Sequence, residues 1–518
     1  MTLKARIRAS EPALVPCATV AALLCATMFL LQGRLGLNLQ DEAFLWYGAT
    51  ATHAGELPLR DFRAYDPGRY FWCAAWIAGF GEGLVAVRGA GWAFAALGVT
   101  AGLLVVSRST RNIAWIALAG AILVTWMSPP WKLYESSLAM IVSWIAVRVV
   151  ERPTSARRIA AGVVVGLTAF FGRNLGLYAG LALLAATLYT CWKVRQPFAR
   201  SIGELAAGTL AGYAPMLALV AFAAGYREAF VESIAFYARQ GALNAELPFP
   251  FPWRIDLTGR AFLAAAGALT VGSLFLVVPV AYTAALARGF FARAGDLARW
   301  APVVAPACVG AAWFHHASVR SDLPHLAQSI HPFLLAVFSL PGVVSAARVG
   351  FVRVAAWGTL VLVTTFGIGT SLPLVRRALA PKGFEYAAVV VGKDALQLSP
   401  NEANLVRGLM AAVEHHVRPE EELWVSAQFL GLYPILGRRA PTWDIYPAWQ
   451  ADEREEERML RELAAVRWAI LDVRPIGGDP RMRLEISHPR VWRWLLDSFE
   501  RVPLPGLPDR IVCLRRKD

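Results

Sequence analysis

One short stretch of the sequence, LNLQDEAFLWYGATATHAGELPLRDFRAYDPGRYFW, residues 37 to 72, is rich in carboxylates. Four of its five acidic residues are candidates for chemistry: Asp41, Glu42, Asp61 and Asp66. A carboxylate can act as a general base that accepts the proton of an attacking hydroxyl group. We predict that Asp41 and Glu42 are catalytic, because they follow a long apolar run that would leave them at a membrane face.

Each of these acidic residues also has an interpretation without chemistry. Asp41 is suited to the N-cap of a helix over DEAFLWYGATATHAG, and Glu42 is suited to the first turn of that helix. Asp61 is a loop acid, and Asp66 begins an Asp-Pro-Gly turn signal. Both interpretations stay open from the sequence, since a residue that caps a helix can also act in catalysis.

Candidate substrate-binding residues lie in the same stretch and in later gaps between apolar runs. Arginine binds phosphate oxygens bidentately, so cations in these gaps are candidates for holding a phosphate group. We predict that substrate is bound by Asp61, Tyr65, Asp66, Arg69, Lys132, Arg173, Arg320, Asp322 and His325. Alternatively, Arg69 and Arg173 extend to lipid headgroups, and Arg320 forms a local ion pair with Asp322.

Three histidines and one aspartate fall within a short interval: His315, His316, Asp322 and His325. Adjacent histidines on a helix point in different directions, and the HExxH spacing of zinc proteins does not occur. We therefore predict no metal site and no certain cofactor, and a divalent metal has no support in the sequence. A serine hydrolase is disfavoured, because no GxSxG motif is present.

The composition indicates which class of protein must position these residues. Apolar residues make up 57% of the 518, charged residues make up 17%, and the mean hydropathy is +0.46. Soluble domains are less apolar, so we expect a polytopic membrane protein in contact with membrane lipids. The net charge of +14 arises in short gaps between apolar runs, which favours topology signals and excludes nucleic acid as a partner.

About eleven apolar stretches approach the roughly 20 residues that a transmembrane helix needs. They lie near 12–32, 84–106, 112–128, 136–151, 158–172, 175–192, 203–225, 260–286, 300–317, 329–347 and 352–373. Alternate gaps hold the arginines, which the positive-inside rule assigns to the cytoplasm together with the N-terminus. An odd number of spans then puts a long first loop, 33–83, and everything after about 374 on the outer face.

The first outward loop predicts two short helices. One covers DEAFLWYGATATHAG, with Gly55 as its C-terminal stop, and its residues Phe44 to Tyr47 would lie against the membrane interface. The other covers 68–81, which is rich in aromatic residues and too short to span. Long loops in compact proteins are usually functional, so we expect this loop to carry the site.

The tail has the character of a soluble domain. Predicted helices at 400–416, 452–466 and 489–499 alternate with predicted strands at 423–427, 468–473 and 510–516. This alternation favours a small extracytoplasmic α/β domain at 376–518, after a transmembrane domain at 1–375. We expect that deletion beyond about 380 would leave the spans inserted and impair acceptor recognition.

This arrangement resembles the C-type (GT-C) multi-pass membrane glycosyltransferases, the superfamily of protein O-mannosyltransferases and lipid A aminoarabinose transferases. The matching residues are Asp41 and Glu42 directly after the first helix, YDPGRY at 65–70, and RSDLPHL at 320–326. In that family the acidic residue after the first membrane helix is catalytic, which the resemblance implies for Asp41. Gly68 replaces the second proline of the mannosyltransferases, which favours a bacterial relative.

The resemblance implies an enzyme that moves a sugar from a polyprenyl-phosphate donor to an envelope lipid, glycan or protein acceptor. Transfer would occur at the outer face of a bacterial cytoplasmic (inner) membrane, with the C-terminal domain in the periplasm. A single displacement with Asp41 as general base would invert the anomeric centre. Two alternatives stay open: a non-catalytic lipid-binding envelope assembly protein, and a lipid or glycan transporter, which few central charges in the spans disfavour.

Overall fold

A computed structural model describes residues 14–240, 247–344, 346–369, 372 and 385–517. The helices are α1 (Leu14–Gln32), α2 (Asp41–His53), α3 (Gly68–Phe80), α4 (Leu84–Val106), α5 (Ile113–Thr125), α6 (Leu133–Glu151), α7 (Ser155–Phe171), α8 (Arg173–Val194), α9 (Phe198–Gly212), α10 (Ala214–Phe222), α11 (Tyr226–Gln240), α12 (Phe262–Phe290), α13 (Leu297–Val319), α14 (Leu323–Ser329), α15 (His331–Val343), α16 (Ala346–Gly367), α17 (Pro400–His416), α18 (Leu432–Leu436), α19 (Glu453–Glu462), α20 (Leu484–Ser487) and α21 (Pro489–Ser498). The strands are β1 (Ala387–Val391), β2 (Asp394–Leu398), β3 (Leu423–Val425), β4 (Trp468–Asp472), β5 (Phe499–Val502) and β6 (Ile511–Arg516).

The predicted fold class is confirmed: the chain is mainly helical, with strands confined to its C-terminal part. Seven of the described helices are long and apolar enough to cross a membrane, or up to nine if the bent pairs α9 with α10 and α14 with α15 are single spans. The predicted count of eleven is not confirmed, although a helix lies at each predicted position. The stretches 112–128 and 158–172 form helices of only 13 and 17 residues, shorter than the roughly 20 that crossing needs.

The chain forms two compact units. The helical unit comprises the described residues within Met1–Leu30, Gly91–Ala218 and Glu246–Pro381. The mixed unit comprises those within Leu31–Ala90, Leu219–Ala245 and Lys382–Asp518, and holds all six strands. The tail begins close to the predicted boundary, but the first loop belongs to the same unit as the tail.

Helices α7 and α9 of the helical unit pack through matched glycine motifs, GVVVG at 162–166 and GTLAG at 208–212. A Cβ atom on Gly162 would collide with the carbonyl oxygen of Leu205, and one on Gly208 with that of Ile159. Small residues spaced by four allow such close backbone approach, on which helix packing in lipid depends. The sequence of these two helices therefore explains why they pair.

The tail of the mixed unit carries a four-stranded sheet in the order β3-β4-β6-β5, plus a separate β1-β2 hairpin. Strands β3 and β4 are parallel, and the other neighbours are antiparallel. The predicted strands correspond to β3, β4 and β6, and the predicted helices to α17, α19 and α21. Strands β1, β2 and β5 were not predicted from the sequence.

The aromatic run of α2 is buried by protein, so the expectation that it lies against the membrane interface is wrong. Phe44, Leu45, Trp46 and Tyr47 are between 1% and 6% exposed. The Tyr47 hydroxyl accepts a hydrogen bond from the backbone N–H of Ala440 at 3.1 Å. Four consecutive apolar residues cover every side of a helix, which indicates burial but does not distinguish lipid from protein as the covering material.

Candidate active site

Asp41 is the first residue of α2, yet it does not cap that helix. The side-chain oxygen of Asn38 accepts hydrogen bonds from the backbone N–H groups of Gln40, at 2.9 Å, and Asp41, at 2.7 Å. Asn38 therefore satisfies N–H groups that the first helical turn leaves open. The expected N-cap role of Asp41 is wrong, and its exposed carboxylate carries a charge that the N-terminal end of the helix dipole stabilises.

The Asp41 carboxylate is held by a tyrosine from the tail. The Tyr446 hydroxyl donates to Asp41 Oδ1 at 2.9 Å and accepts from Gln40 Nε2 at 2.7 Å. Burial and then the charge of Asp41 raise the pKa of Tyr446 well above its usual value, so the hydroxyl stays protonated at neutral pH. No other hydrogen bond within the described part of the chain reaches the carboxylate, which leaves Asp41 Oδ2 open to a ligand.

Aromatic rings connect Tyr446 to the next predicted residues. The Phe44 ring centroid lies 5.5 Å from that of Tyr446 and 5.0 Å from that of Tyr65. The guanidinium of Arg69 lies 4.7 Å from the Tyr65 ring centroid. Tyr65 is 36% exposed and Arg69 is 4% exposed. The structure thus brings together three predicted residues, Asp41, Tyr65 and Arg69. The ring of Tyr65 offers an aromatic surface that a ligand can reach, and the guanidinium of Arg69 is fixed behind that ring.

Glu42, the neighbour of Asp41, is occupied by a buried ion pair. Arg88 binds both of its carboxylate oxygens at 2.7 Å, and the two side chains are 1% and 6% exposed. Arg88 also donates to the carbonyl oxygens of Gly33, Leu35 and Gly36. This geometry favours an anchoring role for Glu42 over the predicted catalytic one, because its carboxylate cannot accept a substrate proton without breaking the pair.

The two aspartates of the first loop that were predicted to bind substrate are engaged or buried. Asp61 accepts hydrogen bonds from Arg60, at 2.7 and 2.8 Å, and from the backbone N–H of Leu57, at 2.7 Å. The Arg60 hydrogen bond lowers the pKa of Asp61. Asp66 is 6% exposed and lies just before α3. Asp61 thus holds a local turn, and Asp66 offers little surface to a ligand.

The remaining predicted binding residues belong to the helical unit, where they lie at helix ends. Lys132 precedes α6, Arg173 begins α8 and Arg320 follows α13. The Tyr178 hydroxyl and His315 Nδ1 are 2.9 Å apart, which connects α8 to α13. The three cations therefore lie at helix ends of one unit, and the contact between Tyr178 and His315 joins the two helices that Arg173 and Arg320 adjoin.

Asp322 of the helical unit is saturated by its sequence neighbours. It accepts from Arg320 Nε at 2.9 Å, from the backbone N–H of His325 at 2.9 Å, and pairs with His325 Nδ1 at 2.6 Å. Burial alone would raise the pKa of Asp322, but the hydrogen bonds from His325 and Arg320 outweigh burial and lower it. Among the described residues, no three His, Cys, Asp or Glu side chains are grouped so that they could hold a metal ion.

Several residues of the site were not predicted from the sequence. Arg63 Nη1 donates to Asp444 Oδ1 at 2.7 Å and to the backbone carbonyl oxygen of Tyr446 at 2.8 Å. Arg88 had a usable signal, since a charged residue inside an apolar run is a functional candidate. Tyr446 and Asp444 had none, because they lie in the tail without a recognisable motif.

Two structures of ArnT are among the solved structures that resemble the chain. One is the crystal structure of ArnT from Cupriavidus metallidurans bound to undecaprenyl phosphate, with a TM-score of 0.46 and 15% sequence identity. The other is ArnT of the same organism in the apo state, with a TM-score of 0.44 and 14% identity. Each alignment covers 95% of this chain and 97% of the other chain.

Lipid A aminoarabinose transferases, the class to which ArnT belongs, are among the proteins that the sequence motifs resemble. No family model and no curated protein sequence matches the chain. The likeness to ArnT is one of overall fold and is distant in sequence, so it assigns no role to any residue. The roles proposed below follow from the contacts of the residues themselves.

Proposed function

We propose that this protein is a membrane glycosyltransferase that moves a sugar from a polyprenyl-phosphate donor to an envelope acceptor, with Asp41 as general base. The observation that carries the proposal is the state of the Asp41 carboxylate. It is exposed, Asn38 performs the capping that would otherwise occupy it, and Tyr446 holds only one of its oxygens. Such a carboxylate can accept a proton.

The chemistry follows from the two oxygens of Asp41. Oδ2 accepts the proton of an acceptor hydroxyl while the hydroxyl oxygen forms a bond to the anomeric carbon of the sugar. The bond between that carbon and the donor phosphate oxygen breaks, and the electron pair leaves with the phosphate. A single displacement of this kind inverts the anomeric centre.

Positive charge must balance the departing phosphate, since charge that develops in the transition state is stabilised by preorganised groups. Arg69 is our first candidate, because its guanidinium is fixed over Tyr65, which in turn contacts Phe44 of the same helix as Asp41. The exposed ring of Tyr65 offers a surface for the substrate. Lys132, Arg173 and Arg320 remain predicted phosphate ligands.

The proposed location is the outer face of a bacterial inner membrane. It rests on the arginine-rich gaps, which by the positive-inside rule assign the N-terminus to the cytoplasm and the tail to the periplasm. The acceptor is proposed as an envelope lipid, glycan or protein that presents a hydroxyl group. No nucleic acid takes part.

The experiment is transfer of radiolabelled sugar from a panel of polyprenyl-phosphate sugars to envelope lipids and glycans, with the purified full chain in lipid nanodiscs. Asp41→Asn should lower transfer by about a thousandfold, with folding intact. Asp497→Asn is the matched control, because Asp497 is an exposed aspartate of the same unit, and it should transfer at the wild-type rate. Donor binding without turnover on any acceptor, unchanged by Asp41→Asn, would instead identify a lipid-binding assembly protein.

A further inference from the structure

We propose that Tyr446 is a positioning residue that fixes the orientation of the Asp41 carboxylate so that Oδ2 faces the acceptor hydroxyl. This inference rests on the proposed function of Asp41. Tyr446 lies 405 positions away in the sequence, in the tail segment PTWDIYPAWQ, residues 441 to 450. The tail thereby supplies a part of the machinery of the first loop.

The direction of the hydrogen bonds around the Tyr446 hydroxyl is set by the chemistry of its partners. An ionised carboxylate only accepts hydrogen bonds, so the single O–H proton of Tyr446 is donated to Asp41. The amide nitrogen of Gln40 only donates, and it occupies a lone pair of the same oxygen. The relay from Gln40 through Tyr446 therefore favours Asp41 in its ionised form, which a general base requires.

The Tyr446 backbone is itself held from the first loop. Arg63 Nη1 donates to the carbonyl oxygen of Tyr446 at 2.8 Å, and also to Asp444 Oδ1. The backbone N–H of Tyr446 donates to that same Asp444 oxygen at 3.1 Å. Arg63 is 5% exposed and its guanidinium lies 4.6 Å from the Trp449 ring centroid. Because Arg63 is buried, hydrogen-bonded to Asp444 and stacked on Trp449, it fixes the position of the Tyr446 backbone. Tyr446 can then hold Asp41 in one orientation.

An exposed aspartate without such a partner samples several rotamers, of which few present an oxygen to the substrate. The hydrogen bond from Tyr446 selects one of them and stabilises the charged carboxylate. Removal of the hydroxyl should therefore slow the chemical step, because the Asp41 carboxylate then presents an oxygen to the acceptor hydroxyl less often. Donor binding should change little, since Tyr446 is not proposed to contact the donor.

The first experiment compares full-length wild type with Tyr446→Phe in the transfer assay and in thermal unfolding. Tyr446→Phe should lower kcat by about tenfold and leave KM for the donor within about twofold. Its melting temperature should stay near that of the wild type. A kcat within about twofold of the wild type, or a lower kcat that comes with an equal rise in KM and a lower melting temperature, would overturn the inference.

The matched control is Tyr433→Phe. The Tyr433 hydroxyl accepts a hydrogen bond from the backbone N–H of Val425 at 3.0 Å, in the same unit and without contact to Asp41. This variant also loses one buried hydrogen bond, so it shows how far such a loss alone lowers the transfer rate. It should keep a kcat near that of the wild type, and a fall in kcat as large as that of Tyr446→Phe would overturn the inference.

A double variant separates positioning from other effects. If Tyr446 acts through Asp41, then adding Tyr446→Phe to Asp41→Asn should not lower the residual transfer any further. A further loss of about tenfold would show that Tyr446 acts independently of Asp41.

A spectroscopic readout distinguishes failure of this inference from failure of the proposed function. If the wild type transfers no sugar, the proposed function fails, and the hydrogen bond is then measured by infrared difference spectroscopy on protein labelled with carboxyl-13C aspartate. The band that disappears in Asp41→Asn belongs to Asp41. That band should change its frequency in Tyr446→Phe, because the carboxylate loses the hydrogen bond from the tyrosine, and an unchanged frequency would overturn the inference.

Discussion

Asp41 and Asp322 both stand at the start of a helix, but their carboxylates are held in opposite ways. Asp322 accepts hydrogen bonds from Arg320 and His325, two and three positions away, and it caps its own helix. The Asp41 side chain does not cap its helix, and its hydrogen-bond partner among the described residues, Tyr446, is 405 positions away. A carboxylate saturated by its neighbours supports structure, whereas one held at a single oxygen by a distant residue remains available for chemistry.

The largest loss of sugar transfer should come from removing the tail, which supplies the distant partner of Asp41. Deletion of residues 382–518 removes Tyr446 and Asp444 along with most of the mixed unit. We expect complete loss of transfer with every acceptor, a stronger result than the loss of acceptor recognition that the sequence predicts. Transfer is measured in membranes after cysteine-accessibility mapping has shown that the spans are inserted. Residual turnover on any acceptor would place the essential groups outside the tail.

The single substitution Asp41→Asn tests the difference between Asp41 and Asp322 most directly. Loss of a general base should reduce kcat by about a thousandfold, while the melting temperature stays near that of the wild type because Asp41 makes one hydrogen bond at an exposed site. The measurement pairs the transfer rate with thermal unfolding of the same preparation. A large fall in the melting temperature would mean that Asp41 is structural, as Asp322 is.

Glu42 should show the opposite pattern. Glu42→Gln leaves Arg88 buried without its ionic partner, so the free energy of unfolding should fall by about 3 to 5 kcal/mol. The double variant Glu42→Leu with Arg88→Met should recover most of this loss, because no buried charge remains. Denaturant unfolding in detergent measures both. A Glu42→Gln protein that is fully stable but inactive would return Glu42 to a catalytic role.

The smallest effect should come from Asp322→Asn, which weakens a helix cap and a local ion pair. It should lower the free energy of unfolding by about 1 kcal/mol near neutral pH. The pKa of Asp322 is lowered in the folded protein. Its contribution is therefore present above the unfolded pKa of about 3.9 and is lost as the pH falls through the folded value. The stability difference between wild type and variant should shrink below about pH 4, and a difference that grows instead would contradict this assignment.

Much of the fold could be predicted because it depends on local composition. Apolar runs form helices in a membrane, since every backbone polar group must be satisfied within the segment, and α4 begins and ends at the predicted residues 84 and 106. The end of α5 could not be predicted, because the apolar run continues beyond Thr125 into Trp126 and Met127, which lie outside the helix.

The sequence by itself determined the class of protein, the positions of its helices and the choice of Asp41 among the acidic residues. Only the tertiary structure decided that Asn38 caps α2, that Arg88 occupies Glu42 and that Tyr446 holds Asp41. Two adjacent carboxylates have the same chemistry in a sequence. They acquire different roles through partners tens to hundreds of positions away, and no local pattern of residues encodes such contacts.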